Sequence, residues 1–309
     1  MDIWGDTNID FLGKRRVALV VSSVLVLVGL VAALAIPLGK ANLGTDFAGG
    51  VAVQFRFEKP FAMEKVRGLL SDGGFGDADL QEFAGTNKLL VRVKREAGGE
   101  KGELQAITAS VGKVFSSEMP DNPYTIDLTT EVGPTVGKRL QKDALWAITI
   151  ALFGILLYVA WRFEFRFGVA AVTATFHDVV AVLGILFLID KEINLLIVTG
   201  LLTIAGYSLT DTVVVFDRIR ENLRKRSRDT LVPLINKSIN EVLRRTIVTS
   251  GTTLLVLLAL FTRGGEVIHD FSLTLMLGVI VGTYSSIFVA SPVLLLWKGK
   301  KGKLITRSE

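Results

Sequence analysis

Asp211 stands inside "YSLTDTVVVF" (207–216), a run otherwise apolar or hydroxylic, and Arg245 opens a second such run, "RTIVTSGTTLL". A carboxylate at the centre of a bilayer costs roughly 2.5–3.5 kcal/mol on insertion scales. It persists there by facing a helix-bundle interior, by finding a partner, or by taking up a proton. Burial favours the neutral acid and a nearby cation favours the carboxylate. An Asp211–Arg245 distance that alternates would therefore make proton uptake and release alternate with it. Arg245 is the expected partner because it lies at the basic end of its apolar stretch, on the side of the bilayer nearer to Asp211. Arg244 is a rival, although an arginine at a membrane edge commonly meets lipid phosphate.

Hydroxyl groups surround this pair. Thr210 and Thr212 flank the acid, Thr249 follows Arg245 by four residues, and Thr252 and Thr253 continue near that face. Such a stripe either holds a file of water or bonds to its own helix and packs; the residue types allow both. A second polar pair, His177 and Asp178 in "FHDVV", lies near the middle of another apolar stretch. Histidine titrates near neutrality, so a proton relay has the right chemistry, and a hydrogen-bonded pair that fixes helix packing is the alternative. Neighbouring helical residues point about 100° apart. One histidine and one aspartate so arranged are too few for a metal claim. The chain has no cysteine, which excludes a disulfide framework, a thiolate metal site and thiol chemistry. No cofactor is implied.

These residues need membrane-spanning elements to hold them. The 309 residues are 50% hydrophobic and yet 21% charged, with a mean hydropathy of +0.48. The charges are segregated from apolar blocks. A spanning helix needs about 20 apolar residues, and 17–38, 144–161, 167–189, 193–216, 246–262 and 271–297 meet that requirement. The first block follows Lys14, Arg15 and Arg16 and is followed by a signal-like Ala33-Leu34-Ala35. Its length exceeds the roughly 7–15 residues of a signal core, so an uncleaved span is expected. Gly200 and Gly206 permit close helix approach or a local distortion in the fourth span.

Net charge is +5. In a membrane chain this points to basic loops facing anionic lipid rather than to nucleic acid. The basic residues fall before the first span, at Arg162 and Arg166, through 217–245, and in the tail 298–309. The opposite short loops hold Lys191 and Arg263. Both termini are thus expected in the cytoplasm and residues 39–143 outside. The organisation expected is 1–16 as an N-terminal segment, 17–38 as the first span, 39–143 as an outer α+β domain, 144–297 as a five-helix bundle with a basic loop at 217–245, and 298–309 as a tail. Ile3, Trp4, Ile9, Phe11 and Leu12 in the first segment suit either an interfacial stretch or a loose tail.

The outer domain reads as β-α-β-β-α-β, a split-βαβ or ferredoxin-like unit. "VAVQFRF" alternates, placing Val51, Val53, Phe55 and Phe57 on one face. Helical spacing follows in Phe61, Val66, Leu69 and Leu70, ending at Gly73 and Gly74. Gly85-Thr86-Asn87 joins two strands. Leu104, Ile107, Val111, Val114 and Phe115 share a helix face, and "YTIDLTTEV" is the last strand. No histidine and no nucleophile–base arrangement occurs in this domain, so binding or moving a partner suits it better than catalysis. Gly44, Gly49 and Gly50 in "LGTDFAGG" allow turns closed to other residues.

With "IDFLGKRR", "LGTDFAGG", "FHDVV", "AGYSLTDTVVVFDRIREN" and "RRTIVTSGTT" taken together, the chain resembles the SecD/SecF family of the resistance–nodulation–division superfamily, on its SecF side. The resemblance covers nearly the whole chain. It implies a polytopic inner-membrane protein, not an enzyme, that contributes half of a pseudo-symmetric bundle with SecD. It further implies work alongside the SecYEG channel and SecA, with YajC as a further partner, using the proton-motive force to assist translocation of unfolded preproteins. The family's proton-path aspartate falls on Asp211 and its essential arginine on Arg245. A solute exporter half of the same superfamily is the competing reading, but such proteins usually carry much larger outer domains. A passive membrane scaffold is a third.

Overall fold

The computed structural model describes residues 7–83, 86–94, 103–162, 164–225 and 230–297. The chain divides into two units, one formed by 1–42 and 146–309 and the other by 43–145. Among the described residues, six helices are long and apolar enough to cross a membrane. Trp4, Ile3, Gly85 and the basic tail 298–309 lie outside the described residues.

The smaller unit holds the expected order. Strand β1 (Gly50–Phe57), helix α3 (Met63–Leu70), strands β2 (Asp79–Phe83) and β3 (Lys88–Lys94), helix α4 (Glu103–Glu118) and strand β4 (Tyr124–Val132) follow a short helix α2 (Thr45–Ala48). The sheet runs β2-β3-β1-β4, with β1 antiparallel to both neighbours. Alternation in β1 does what its pattern dictates. Val51, Val53, Phe55 and Phe57 are all buried and pack against Val66, Leu70, Val111 and Phe115. Phe55 meets Phe115 edge-on at 5.0 Å, a favoured aromatic geometry. On the other face Arg56 bonds Asp127 of β4 at 2.7 Å. This guanidinium holds the Asp127 carboxyl below the usual carboxylate range. Gly49 and Gly74 adopt positive φ. Gly44 does not, and it serves instead as the residue before α2, with φ −65°.

The larger unit is built from α1 (Arg15–Ala35), α6 (Phe165–Leu188), α7 (Leu195–Arg224), α8 (Leu231–Arg263) and α9 (Glu266–Ser285), joined by the end of α5 (Pro134–Arg162). Asn194 caps α7 by accepting from the Ile197 N–H at 2.9 Å, as asparagine at that position does. The segment 217–245, expected as a loop, is largely helical: α7 continues to Arg224 and α8 begins at Leu231. Polar residues beyond a span remain good helix formers, and cross-links stabilise the pair. Arg218 bonds Glu241 at 2.6 Å and Asn222 bonds Ser238 at 2.9 Å. The expected sixth span is present as one helical stretch, Ile268–Leu296, whose pitch changes along its length. After Ser285 the helix widens over Ser286–Ala290 and tightens over Leu294–Trp297. Pro292 lies in this stretch and has no N–H to continue the ladder.

Small residues let these helices approach. A Cβ on Gly29 of α1 would lie 2.0 Å from the Val180 carbonyl oxygen of α6, and one on Gly184 would lie 2.7 Å from the Gly29 nitrogen. Gly200 does the same against Thr274 of α9, whereas Gly206 has open space around it.

The N-terminal segment, over its described part, is docked rather than loose. Phe11 and Leu12 are buried in the core formed by α6, α7 and α8. Asn240 holds both sides of Ile9, accepting from its N–H and donating to its carbonyl, each at 2.9 Å.

Candidate functional site

The bundle interior holds two polar clusters, one about Asp178 and one about Asp211. Helix periodicity places Asp178 of α6, Ser208 and Asp211 of α7, Ser250 of α8, and Thr283 and Ser285 of α9 on inward faces. Asp178 is fully buried. Its Oδ2 accepts from Ser208 and from Ser285, the latter at 2.7 Å. Its Oδ1 lies 2.9 Å from Nδ1 of His177. A buried carboxylate in an apolar bundle requires such partners, and three side chains from three helices supply them.

Asp211 is 7% exposed. Ser250 donates to its Oδ2 at 3.3 Å, and Ser250 and Thr283 share a hydrogen bond of 2.8 Å. Ser208 and Asp211 are three residues apart on α7, and Thr283 and Ser285 are two apart on α9. The hydroxyls thus form two clusters, one of Ser208 and Ser285 about Asp178 and one of Ser250 and Thr283 about Asp211, with Thr283 also donating to the Val279 carbonyl at 2.7 Å. Gly282 makes room for Ser208: a Cβ there would meet it at 3.0 Å.

On the other side of Asp178, His177 is 3% exposed, and its Nε2 finds no partner among the described residues. The ring lies 6.2 Å from that of Tyr284. The Tyr284 hydroxyl donates to the Ala18 carbonyl of α1 at 2.8 Å and lies 3.0 Å from the Ser22 hydroxyl.

The expected partner of Asp211 is not in contact with it. Arg245 is exposed, and no ion pair joins it to Asp211 among the described residues; its charge reaches the acid only through space. The threonines donate to their own helices. Thr249 donates to the Arg245 carbonyl at 3.0 Å, Thr252 to the Val248 carbonyl at 2.9 Å, and Thr210 to the Tyr207 carbonyl at 2.7 Å. Each hydroxyl is thus satisfied by its own helix. Tyr207 donates to Thr253 at 3.0 Å.

Sequence reasoning missed Ser208, Ser250, Thr283 and Ser285. Hydroxyl residues are common in membrane helices, and of these four only Ser208 is near an acid in sequence, three residues before Asp211. It also missed a second His-Asp dipeptide. At the end of the bundle where α7 and α9 begin, Asp270 bonds Lys191 at 2.7 Å and His269 at 3.2 Å, and His269 stacks near Phe261 at 4.2 Å. No group of three or more His, Cys, Asp or Glu able to hold a metal occurs among the described residues.

Comparison with known proteins gives a consistent result. The family described as "Protein export membrane protein SecD/SecF, C-terminal" matches residues 113–300. The chain is 53% identical over 298 residues to a protein translocase subunit SecF from Thermodesulfovibrio yellowstonii, covering 96% of this chain and 97% of that one. It is 42% identical to a SecF from Calditerrivibrio nitroreducens, covering 96% of each. Among solved structures, SecDF from Thermus thermophilus, a translocon-associated membrane protein, matches with a TM-score of 0.80 at 36% identity. The match takes in 96% of this chain and 40% of that one. A SecDF structure in a super-membrane-facing form matches with a TM-score of 0.68.

Proposed function

The chain belongs to the SecD/SecF family of protein export membrane proteins, and from that premise we propose that it is the proton-coupling subunit of a SecD complex that assists preprotein translocation. It is a multi-pass membrane protein with a role in protein translocation, and it associates with SecD. The finer reading places it in the bacterial inner membrane with both termini cytoplasmic and residues 39–143 outside. There it serves SecYEG and SecA, with YajC as a further partner, by drawing on the proton-motive force rather than by catalysing a reaction.

The observation that carries this reading is the pair of buried acids, Asp178 and Asp211, each met by hydroxyls of neighbouring helices, Asp178 by Ser208 and Ser285 and Asp211 by Ser250, which is bonded in turn to Thr283. Hydroxyls both donate and accept, so each can pass a proton to or from the acid that it meets. Asp211 is the group that takes up and releases the proton, and Arg245 is the cation that approaches to expel it. In this reading, withdrawal of Arg245 goes with the proton-holding state and its approach with release. His177 bonds Asp178 through Nδ1, and its Nε2, without a partner among the described residues, offers a further station for the proton. Thr210, Thr249 and Thr252 serve mainly to keep their helices in register, since each bonds its own backbone. Each proton moved through 100 mV releases about 2.3 kcal/mol, which is available to move the outer unit through its two chain connections.

Proton flux into vesicles containing the complex with SecD tests this reading. A pH-sensitive dye inside the vesicles should report gradient-driven acidification for wild type and little for Asp211→Asn. Equal flux in both would remove Asp211 from the path.

A further inference from the structure

The chain passes between its two units twice, after Asn42 and again before Trp146. The second crossing lies inside α5, which runs unbroken from Pro134 to Arg162, so the helix itself makes that connection stiff. The first follows a loop, 36–42, that must be held by other means. We infer that Lys191 and Asp270 are positioning residues that hold it, fixing the point from which the bundle moves the outer unit. The effect on translocation rests on the proton-coupled reading above, whereas the anchor itself does not.

Lys191 stands in a short loop at the end of the bundle that is poor in basic residues, a place where a lysine is uncommon. Its ammonium lies 2.7 Å from Oδ1 of Asp270 at the start of α9. Asp270 is buried, and Nδ1 of His269 lies 3.2 Å from the same oxygen. Removing the cation from such a pair leaves a buried carboxylate without its counter-charge, so the two side chains hold each other firmly.

Backbone bonds carry this hold from Lys191 to the crossing. Helix α6 ends with Asp190 at positive φ, a conformation aspartate tolerates better than most residues. The Asp190 N–H donates to the Phe187 carbonyl at 3.1 Å and the Lys191 N–H to the Leu186 carbonyl at 2.9 Å, a cap that sets the direction in which the chain leaves the helix. Helix α1 ends in the same way. Gly39 has positive φ, its N–H donates to the Ile36 carbonyl at 3.1 Å, and the Lys40 N–H donates to the Ala35 carbonyl at 2.9 Å. The two exits then meet. The Ile193 N–H donates to the Asn42 carbonyl at 2.8 Å, and the Asn42 amide donates to the Asp190 carbonyl at 3.4 Å. The loop after α1 is thus tied to the loop after α6, and the ion pair ties that loop to α9.

Helix α9 is also the one that carries Thr283 and Ser285, a hydroxyl of each polar cluster. Ser285 lies fifteen residues from Asp270, about 22 Å along the axis. A shift of α9 that follows a change at the buried acids therefore reaches Asp270, and Lys191 passes it to the loop that holds Asn42.

The test uses the full chain assembled with SecD in membrane vesicles. Hydrogen exchange of 189–194, which contains the Ile193 N–H, reads the anchor. Dye-reported proton flux and gradient-stimulated translocation read its use. In Lys191→Gln and in Asp270→Asn, exchange of this segment should become about tenfold faster as local opening becomes easier. Proton flux should match wild type while gradient stimulation is lost. Lys191→Arg, and the exchanged pair Lys191→Asp with Asp270→Lys, should keep both slow exchange and stimulation, which a mere loss of packing would not allow. Should Asp270→Asn or the exchanged pair fail to assemble, Lys191→Gln against Lys191→Arg, at the more exposed end of the pair, carries the same expectation. Unchanged exchange in Lys191→Gln, or equal acceleration in Lys191→Arg, would overturn the anchor. Full gradient stimulation in a variant with faster exchange, or proton flux that falls in step with translocation, would overturn its role in coupling. Wild-type translocation indifferent to the gradient would remove the proton-coupled reading instead, and the exchange measurement would still decide the anchor.

Discussion

Asp178 and Asp211 solve one problem in two ways. Asp178 is enclosed by Ser208, Ser285 and His177, so each of its oxygens has a partner. Among the described residues Asp211 has one side-chain bond, the longer one from Ser250, and no ion pair with Arg245. The first arrangement holds its side chain firmly in place, and the second holds it loosely. Removing both hydroxyls with Ser208→Ala and Ser285→Ala strips a buried carboxylate of two donors. Losses of this kind cost about 1–3 kcal/mol each, so the double variant should melt well below wild type in detergent. An unchanged melting temperature would show that Asp178 does not depend on them. Arg245→Lys is expected to behave unlike wild type despite its charge, because a compact ammonium lacks the planar fork that grips a carboxylate. Proton flux equal to that of wild type would contradict this.

At the scale of elements, glycine decides how close α1 and α6 come. Gly29→Leu would drive a side chain into the Val180 backbone, where a Cβ already has only 2.0 Å. Overpacking usually costs about 1–3 kcal/mol, and backbone cannot rotate aside, so the upper end or more is expected as a fall in thermal stability. Gly154→Ala, with nothing within 4 Å of its Cβ, is the control and should be neutral or mildly stabilising. In the sheet, Arg56 keeps the exposed Asp127 carboxyl ionised to lower pH than usual. A lowered folded-state pKa means its contribution is present above the unfolded value, about 3.9, and is lost as pH falls through the lowered one. Hydrogen exchange on the full chain should show β4 protection weakening over that acidic window. Asp127→Asn should lack the dependence, and an identical profile in the variant would count against it.

Much of this architecture was legible in the residues. Alternation in β1 and the helical spacing of Val66, Val111 and Phe115 depend on burial on one face, which is a local pattern. The helical course of 217–245 was hidden because charged residues mark the end of a span without marking the end of a helix. The polar clusters were hidden for a different reason. Asp178 and Ser285 are 107 residues apart, and only the packing of α6 on α9 brings them together. The individual acids stood out by the cost of placing them in lipid, whereas their hydroxyl partners carry no such mark.

For the whole molecule, the proposed account joins a titrating interior to an outer unit that engages a translocating chain. Two SecDF structures share this fold, with TM-scores of 0.80 and 0.68, the second described as a super-membrane-facing form. A proton-driven cycle needs at least two such forms, with Arg245 near Asp211 in one and remote in the other. The most direct measurement is preprotein translocation into membrane vesicles with an imposed proton gradient, compared with the gradient collapsed. Wild type should translocate faster with the gradient, whereas Asp211→Asn and Arg245→Ala, assembled with SecD at normal levels, should run at the collapsed-gradient rate under both conditions. Full gradient stimulation in both variants would contradict the account.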